Sequence, residues 1–248
     1  MIDLHCHILP GVDDGSDSMS TSLEMARIAQ ESGVRAIIAT PHCAKPDQPA
    51  NLLSRGLVSR FAELNAAVAD AGLTVRIYPG MEIFVKKDFA EIMASGRLLT
   101  LANTQYMLVE FYFDESPELI SRTIEQIRQS GKIPVIAHPE RYFCTQWRPE
   151  LAELWRKNGA VIQVNRGSIQ GKLGAQAQKC AWEILRSGIA MAVASDAHGV
   201  MSRRPELRSV MLELGDNLSW SYASKLLIEN PARILTGQPL AGEIRLPE

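Results

Sequence analysis

The feature that most constrains what this chain can fold into is an alternation. Short apolar runs rich in β-branched residues recur along it, each followed by a longer stretch with helical spacing. Brief apolar runs fit strands, apolar residues three and four apart fit helices, and their strict alternation fits parallel strands joined by crossover helices. Seven strands are expected, at 2–6, 34–39, 74–78, 106–111, 133–137, 160–164 and 190–194, with helices at 21–31, 51–70, 149–157 and 175–186. One further helix is marked by its own chemistry. Ser116 is an N-cap, Pro117 takes the first helical position where its missing N–H costs nothing, and Gly131 closes the segment. Leu119, Ile120, Thr123, Ile124 and Ile127 then form its inward stripe. No repeat or low-complexity linker interrupts the series, so 1–248 reads as a single α/β domain of the size a TIM-like barrel commonly has. The longest irregular stretch, CAKPDQPA at 43–50, carries two prolines and is expected to be a loop over the active face.

The candidate ligands fall on this frame at one kind of place. His5 and His7 lie at the end of the first strand, His42 past the second, Glu82 past the third and Glu110 at the end of the fourth; His138 follows the fifth, and Asp196 and His198 follow the seventh. The carboxyl ends of strands in a parallel barrel converge on the face where such enzymes keep their chemistry, so residues distant in sequence should meet. Imidazole with carboxylate suits Mn, Fe or Zn, and a carboxylate can bridge two cations through its two oxygens. His5 and His7 point to one side of an extended strand and Cys6 to the other, which puts Cys6 in the wall. Asp13 and Asp14, in the glycine-bounded loop GVDDGSD, can each reach back over the first strand. A lone histidine near a strand end is more often a hydrogen-bonding or exposed residue than a ligand. Five of five at strand ends is a different matter, and a multinuclear metal site is the expectation.

Composition removes several classes of function. A formal charge of −2 leaves no basic excess for a sequence-independent grip on nucleic acid. The opening MIDLHCHILPG has neither a basic n-region nor a long apolar one, and no run of about 18 apolar residues follows, so neither a signal nor membrane insertion is expected. Cys6, Cys43, Cys144 and Cys180 are scattered, without a CxxC pair, which fits reduced thiols and a cytoplasmic location. Cys180 and Arg186 do satisfy the C-x5-R spacing of cysteine-dependent phosphatases. The residues between them, AWEIL, are helix-forming and not the glycine-rich cradle such chemistry needs, so Cys180 is assigned to the core.

The motifs resemble those of the PHP (polymerase and histidinol phosphatase) superfamily: HCH at the first strand, TPH at the second, glutamates after the third and fourth, HPER at the fifth, SDAH at the seventh. More narrowly, MIDLHCHILPGVDDGS, ATPH, PGMEIF, AHPERY, ASDAHG and ENPARIL resemble the manganese-dependent protein-tyrosine phosphatases of bacterial capsule and exopolysaccharide operons, from Met1 to about Thr236. That resemblance implies a distorted seven-stranded PHP-type barrel holding three divalent ions, Mn first and Fe or Zn as alternatives. It implies ligands at His5, His7, Asp14, His42, Glu82, Glu110, His138, Asp196 and His198. The implied partner is a phosphotyrosine-bearing bacterial kinase or its C-terminal tail, and a homo-oligomer is compatible with it. It also singles out Arg141 and one of Arg203 and Arg204; Arg204, which precedes Pro205, is the expected one. Arg166, in QVNRGSI after the sixth strand, stands where these relatives carry small residues, and reads equally as a phosphate contact narrowing the pocket or as a surface residue.

This chemistry suits phosphate monoesters. Their hydrolysis needs a nucleophile and neutralisation of three phosphoryl oxygens. Clustered cations lower the pKa of a bridging water so that hydroxide attacks phosphorus, and Arg141 with Arg203 or Arg204 can clamp the remaining oxygens. Asp196 or His198, where free of metal, can protonate the leaving phenolate. Arg141 has a blander reading as a surface ion pair with Glu140. Rival functions are a histidinol-phosphate or other small-phosphoester phosphatase, a polymerase-associated nuclease, an amidohydrolase-type deamidase and a structural metal-binding module. A deamidase should carry a bridging lysine where Glu110 stands, and structural zinc sites usually have four closed ligands.

Overall fold

The structure, a computed structural model, describes residues 1–48 and 50–240, and nine strand segments lie among them. These are β1 (Ile2–Cys6), β2 (Ala36–Ala39), β3 (His42–Cys43), β4 (Arg76–Pro79), β5 (Glu82–Phe84), β6 (Tyr106–Glu110), β7 (Ile133–Ala137), β8 (Val161–Asn165) and β9 (Ala192–Ala194). All pairings are parallel, in one sheet ordered β1-β2-β4 and a second ordered β3-β5-β6-β7-β8-β9. Residues of β6, β7 and β8 are buried throughout, as in parallel sheets covered on both faces.

Two of the seven expected strands are each followed by a further short segment that was not expected. After the second, β2, comes β3 across Thr40-Pro41, and after the third, β4, comes β5 across Gly80-Met81. Pro41 has no N–H to give a ladder. At Gly80 an added β-carbon would lie 2.8 Å from Ile38 Cγ2, so only glycine lets the two chains come this close. The α/β class with parallel sheets is therefore as expected, while a continuous closed barrel is not what the ladders describe. Among the described residues the first and last strands meet through an isolated parallel bridge, Cys6 to Ala197. Backbone bonds His7 N–H to Ala197 O at 2.9 Å and Asp196 N–H to His5 O at 2.8 Å accompany it.

The helices are α1 (Met19–Glu31), α2 (Arg55–Asp70), α3 (Phe89–Ala94), α4 (Pro117–Gln129), α5 (Phe143–Trp147), α6 (Glu150–Lys157), α7 (Arg166–Ile169), α8 (Ala175–Arg186), α9 (Arg208–Asn217), α10 (Trp220–Ser224) and α11 (Asn230–Leu235). Two expected starts shift to the residues that cap them, Ser18 accepting from Thr21 N–H and Ser54 from Leu57 N–H, while Ser116 caps its helix as expected, accepting from Leu119 N–H. The helices α3, α5, α7 and α9 to α11 were not expected; most are short, and a π turn at Lys225–Glu229 joins α10 to α11, so periodicity has little to act on. Cys180 lies inside α8, buried, its thiol against the Thr145 carbonyl at 3.3 Å, which closes the C-x5-R reading. Pro49, the second proline of the 43–50 loop, and residues 241–248 of the expected single domain lie outside the described residues.

Candidate metal centre and cleft

His5 ends on β1 and His7 follows it, both rings fully buried. Each has one nitrogen fixed from behind. Nδ1 of His5 meets Gln163 Oε1 at 3.0 Å, and that amide is oriented by donating its own Nε2–H to the Val164 carbonyl at 2.9 Å. Nδ1 of His7 meets Asp13 Oδ2 at 2.7 Å. Both partners accept, so both Nδ1 atoms carry protons and both Nε2 atoms are turned toward the cluster. Those two Nε2 atoms stand 3.2 Å apart. They face Glu82 at 3.2 and 3.3 Å and Asp196 Oδ1 at 3.5 Å each. Lone pairs so placed repel unless a proton or a cation sits between them.

The same crowding continues outward. Register places His42 of β3 directly beside Glu82 of β5, and Phe84 beside Glu110 of β6. His42 Nδ1 lies 2.8 Å from Glu82 Oε2, yet the two make no hydrogen bond and both are orphaned, as is Glu110 Oε2. His138 Nε2 is 3.1 Å from Glu82 and 3.6 Å from Glu110. Asp14 Oδ1 faces His42 Nε2 at 3.4 Å and His198 Nε2 at 3.5 Å. Three donor sets result: His5, His7 and Asp196; His42, Glu82 and Glu110; and His7, Asp14, His42 and His198. All nine residues expected as ligands are thus brought together, with His138 bridging Glu82 and Glu110.

The electrostatics of the cluster match a site shaped for cations. Burial and the adjacent Glu82 push the Glu110 carboxyl up to about 8, and burial, only partly opposed by Glu82, pushes His138 down to about 4. Burial works against charge on His7 too, but Asp13 overcomes it and holds the imidazolium well above its ordinary range. Glu82 and Asp196 are likewise held ionised against burial, chiefly by His5. Protons thus do the work of cations in a nest of nitrogen and oxygen donors with orphaned atoms, and that donor set fits divalent transition metals. The backbone contributes as well. His138 (φ 35°) and Asp196 (φ 50°) are non-glycine residues in the left-handed region, a conformation costing on the order of 1–3 kcal/mol each and concentrated at functional sites.

Asp196 joins this cluster to the arginines. Its Oδ1 faces the histidines, while Oδ2 accepts from Asn165 Nδ2 at 2.6 Å and pairs with Arg203 Nη2 at 2.5 Å and Arg141 Nη1 at 3.7 Å. Arg203 also donates Nε–H to the Asp196 carbonyl at 3.1 Å. Of the two adjacent arginines it is Arg203, not the favoured Arg204, that lines the cleft: the chain folds back after His198, whose N–H meets the Arg203 carbonyl at 2.9 Å, and Arg204 is exposed. Neither reading of Arg166 holds. It is 3% exposed, pairs with Glu206 at 3.6 Å and does not line the cleft. The Arg141–Glu140 surface pair fails too, because Glu140 is fully buried and accepts from the Asn165 N–H at 3.0 Å.

Arg141, Arg203, His42, Glu82, Glu110, His138, Asp196 and His198 line a cleft of about 300 Å³ together with the aromatic rings of Phe84, Tyr112 and Phe113. Phe113 lies under the Arg141 guanidinium, 4.4 Å from ring centre to Cζ. Lys45 and Pro46 line it too, so the 43–50 loop does reach the active face; Lys45 Nζ lies 2.6 Å from His42 Nε2. Gln163, Asn165, Lys45 and the aromatics escaped sequence reasoning. Asp13 was visible only as the neighbour of Asp14; its side chain is buried and also accepts from the His42 N–H at 2.9 Å, tying two ligands together. Gly15 escaped as well. A β-carbon there would overlap the His7 carbonyl oxygen and Cβ, so Gly15→Ala is expected to lower stability by about 1–3 kcal/mol and to weaken metal retention. Thermal unfolding with metal analysis after dialysis checks both; wild-type behaviour in both would show that the loop yields freely.

Known proteins share this arrangement of sequence and fold. A family described as capsular polysaccharide synthesis, CpsB/CapC, matches residues 1–236. Tyrosine-protein phosphatase YwqE of Bacillus subtilis (strain 168) is 33% identical over 243 residues, covering 97% of this chain and 93% of that protein. Tyrosine-protein phosphatase CpsB of Streptococcus pneumoniae is 28% identical, covering 96% and 99%. A crystal structure from work on YwqE of Bacillus subtilis and CpsB of Streptococcus pneumoniae, described as unique metal-dependent tyrosine phosphatases, matches with a TM-score of 0.90 at 32% identity, covering 100% of this chain and 99% of that one. A lactonase from Listeria monocytogenes, at 15% identity and TM-score 0.61, shares the fold alone.

Proposed function

Because this chain belongs to the capsular polysaccharide synthesis family CpsB/CapC, we propose that it is a metal-dependent tyrosine-protein phosphatase acting in capsule synthesis, with residues 1–248 as a single metallophosphatase domain. One observation carries the reading: buried His and Glu side chains with orphaned polar atoms line the same cleft as two arginines and a group of aromatic rings. A phosphotyrosyl side chain needs those three things together. Its kinase-borne substrate, its cytoplasmic location and three divalent ions, manganese ahead of iron or zinc, complete the proposal. The three donor sets would hold the ions, with His138 completing the coordination around Glu82 and Glu110.

Bound divalent cations supply Lewis acidity toward the phosphoryl oxygens and lower the pKa of water. The chain's own groups do the rest. Arg141 and Arg203, anchored on the same Asp196 oxygen, turn their remaining N–H groups to the phosphoryl oxygens and offset the charge that builds there. Asp196 stays ionised with both oxygens engaged, and burial with the adjacent His7 pushes His198 far down, so neither has a proton for the leaving group and the phenolate takes its proton from solvent. The tyrosyl phenolate, with a conjugate-acid pKa of about 10, needs only modest protonation. Phe113 and Tyr112 offer faces for the departing ring and exclude water around it.

Steady-state turnover of a phosphotyrosyl peptide from a bacterial kinase tail, compared with histidinol phosphate under Mn at mildly alkaline pH, tests the assignment. A higher kcat/KM for the peptide is expected. Preference for histidinol phosphate would return the chain to small-phosphoester chemistry while leaving the site intact.

A further inference from the structure

Immediately beyond Arg141 the chain enters α5, whose two large aromatic residues both face solvent: Phe143 is 53% exposed and Trp147 85%. They are four residues apart and so share one helix face, while Thr145 on the other side is buried. This helix is fastened to the cleft. The Phe143 N–H donates to the Phe113 carbonyl at 2.7 Å, and Phe113 is both cleft wall and the ring beneath Arg141. Tyr112, 45% exposed, extends the same rim, its ring edge-on to Phe84 at 4.7 Å.

A single exposed aromatic residue is ordinary, but a run of them leading out of a reactive cleft from its arginine is a contact surface. Its continuity with the cleft identifies the occupant. A cavity of about 300 Å³ accommodates one phosphorylated aromatic side chain, and the polypeptide carrying that side chain must leave along the rim. Rigid aromatic rings are well suited to gripping a peptide, since they offer large contact area with few rotatable bonds to freeze.

We propose that Phe143 and Trp147 form a docking platform for the polypeptide segment flanking the phosphotyrosine, which makes the substrate a protein and not a free phosphoester. The inference rests on the phosphatase reading of the cleft and names what that cleft selects. Both side chains lie outside the catalytic cleft and are exposed, so Trp147→Ser and the double variant Phe143→Ser/Trp147→Ser should fold as the parent does.

The test measures the Mn-loaded enzyme and both variants on a phosphotyrosyl peptide with several residues on each side, and on p-nitrophenyl phosphate, which fills the cleft alone. For the peptide, KM is expected to rise about ten-fold in the double variant with kcat little changed. For p-nitrophenyl phosphate both constants should stay within about two-fold of wild type, as no contact outside the cleft is involved. An unchanged peptide KM, or equal losses on both substrates, overturns the platform. So does an altered sedimentation coefficient or lost vesicle binding with peptide KM unchanged, which would give the face to a second copy of the chain or to a lipid surface. Failure of wild-type enzyme on both substrates would instead remove the phosphatase reading beneath it.

Discussion

Treatment with EDTA followed by desalting is expected to abolish phosphatase activity, and added Mn to restore it. The expectation follows from the crowding at the cleft floor. His5 and His7 bring their Nε2 atoms within 3.2 Å of each other, and His42, Glu82 and Glu110 leave buried polar atoms without partners. Arg141 and Arg203 spend part of their charge on Asp196, so they cannot replace cations at the cleft floor. Iodoacetamide should leave activity intact: Cys6 and Cys180 are buried with their thiols pushed up, and burial pushes Cys43 up to about 12, so reactive thiolate is scarce. The pH dependence of metal loading has a definite sign. The metal-free protein holds protons on His5 and His7 above the ordinary histidine range, and these must leave when a cation binds. Apparent affinity should therefore rise as pH increases through neutrality. Calorimetric titration with Mn in buffers of different ionisation enthalpy would register the released protons; activity that survives complete chelation would sink the metal assignment.

Arg203→Ala is expected to lower kcat/KM by about 10²–10³-fold, the size of effect seen when a donor to a transition-state oxyanion is removed. Arg141→Ala should fall in the same range, and both should keep wild-type metal content. Arg204→Ala, one residue along the chain, should stay within about three-fold of wild type because its side chain is exposed and away from the cleft. The contrast matters more than either number. Arg203 reaches Asp196 through both its side-chain Nε and Nη2, so its loss also frees an Asp196 oxygen, and part of the effect will come from that carboxylate moving. Arg203→Lys separates the two contributions: a lysine restores charge but not the fork, and recovery close to wild type would mean that charge alone is needed. Equal effects at 203 and 204 would contradict the fold-back of the chain after His198.

Much of this site was legible before any coordinates, because it depends on a local rule applied many times. Strand periodicity put each histidine at a carboxyl end, and parallel strands deliver such ends to one face whatever their exact lengths. The helix at Pro117–Gln129 was equally legible, since Ser116, Pro117 and Gly131 act within a few residues of one another. The C-x5-R spacing could be set aside for the same reason, AWEIL being helix-forming on its own terms. Resemblance then chose Asp14 over Asp13, and the structure gives both a place: Asp14 faces His42 and His198, Asp13 steadies His7 from behind.

Other features depended on contacts that no spacing encodes. Gln163 read as a strand residue and Asn165 fell just past the expected strand, and only the packing of β8 beside β7 and β9 turns them toward His5 and Asp196. The choice between Arg203 and Arg204 was made by backbone hydrogen bonds from His198 and Gly199 to the Arg203 carbonyl that close a loop, and a neighbouring proline could not report them. Arg166 and Glu140 looked like surface or cleft charges but are buried, Arg166 against Glu206 and Glu140 at the Asn165 N–H. The seven-strand count met a chain that adds a short segment beyond Pro41 and another beyond Gly80, positions that sequence marks but whose effect on the ladders depends on Ile38 lying against Gly80. The sequence by itself thus determined the strand-and-helix alternation and the inventory of metal donors, since both rest on periodicity and residue chemistry acting over a few positions. Tertiary structure alone decided which donors face one another, which arginine reaches the cleft and which aromatic rings border it, because side-chain direction across strands and loops is fixed by long-range packing.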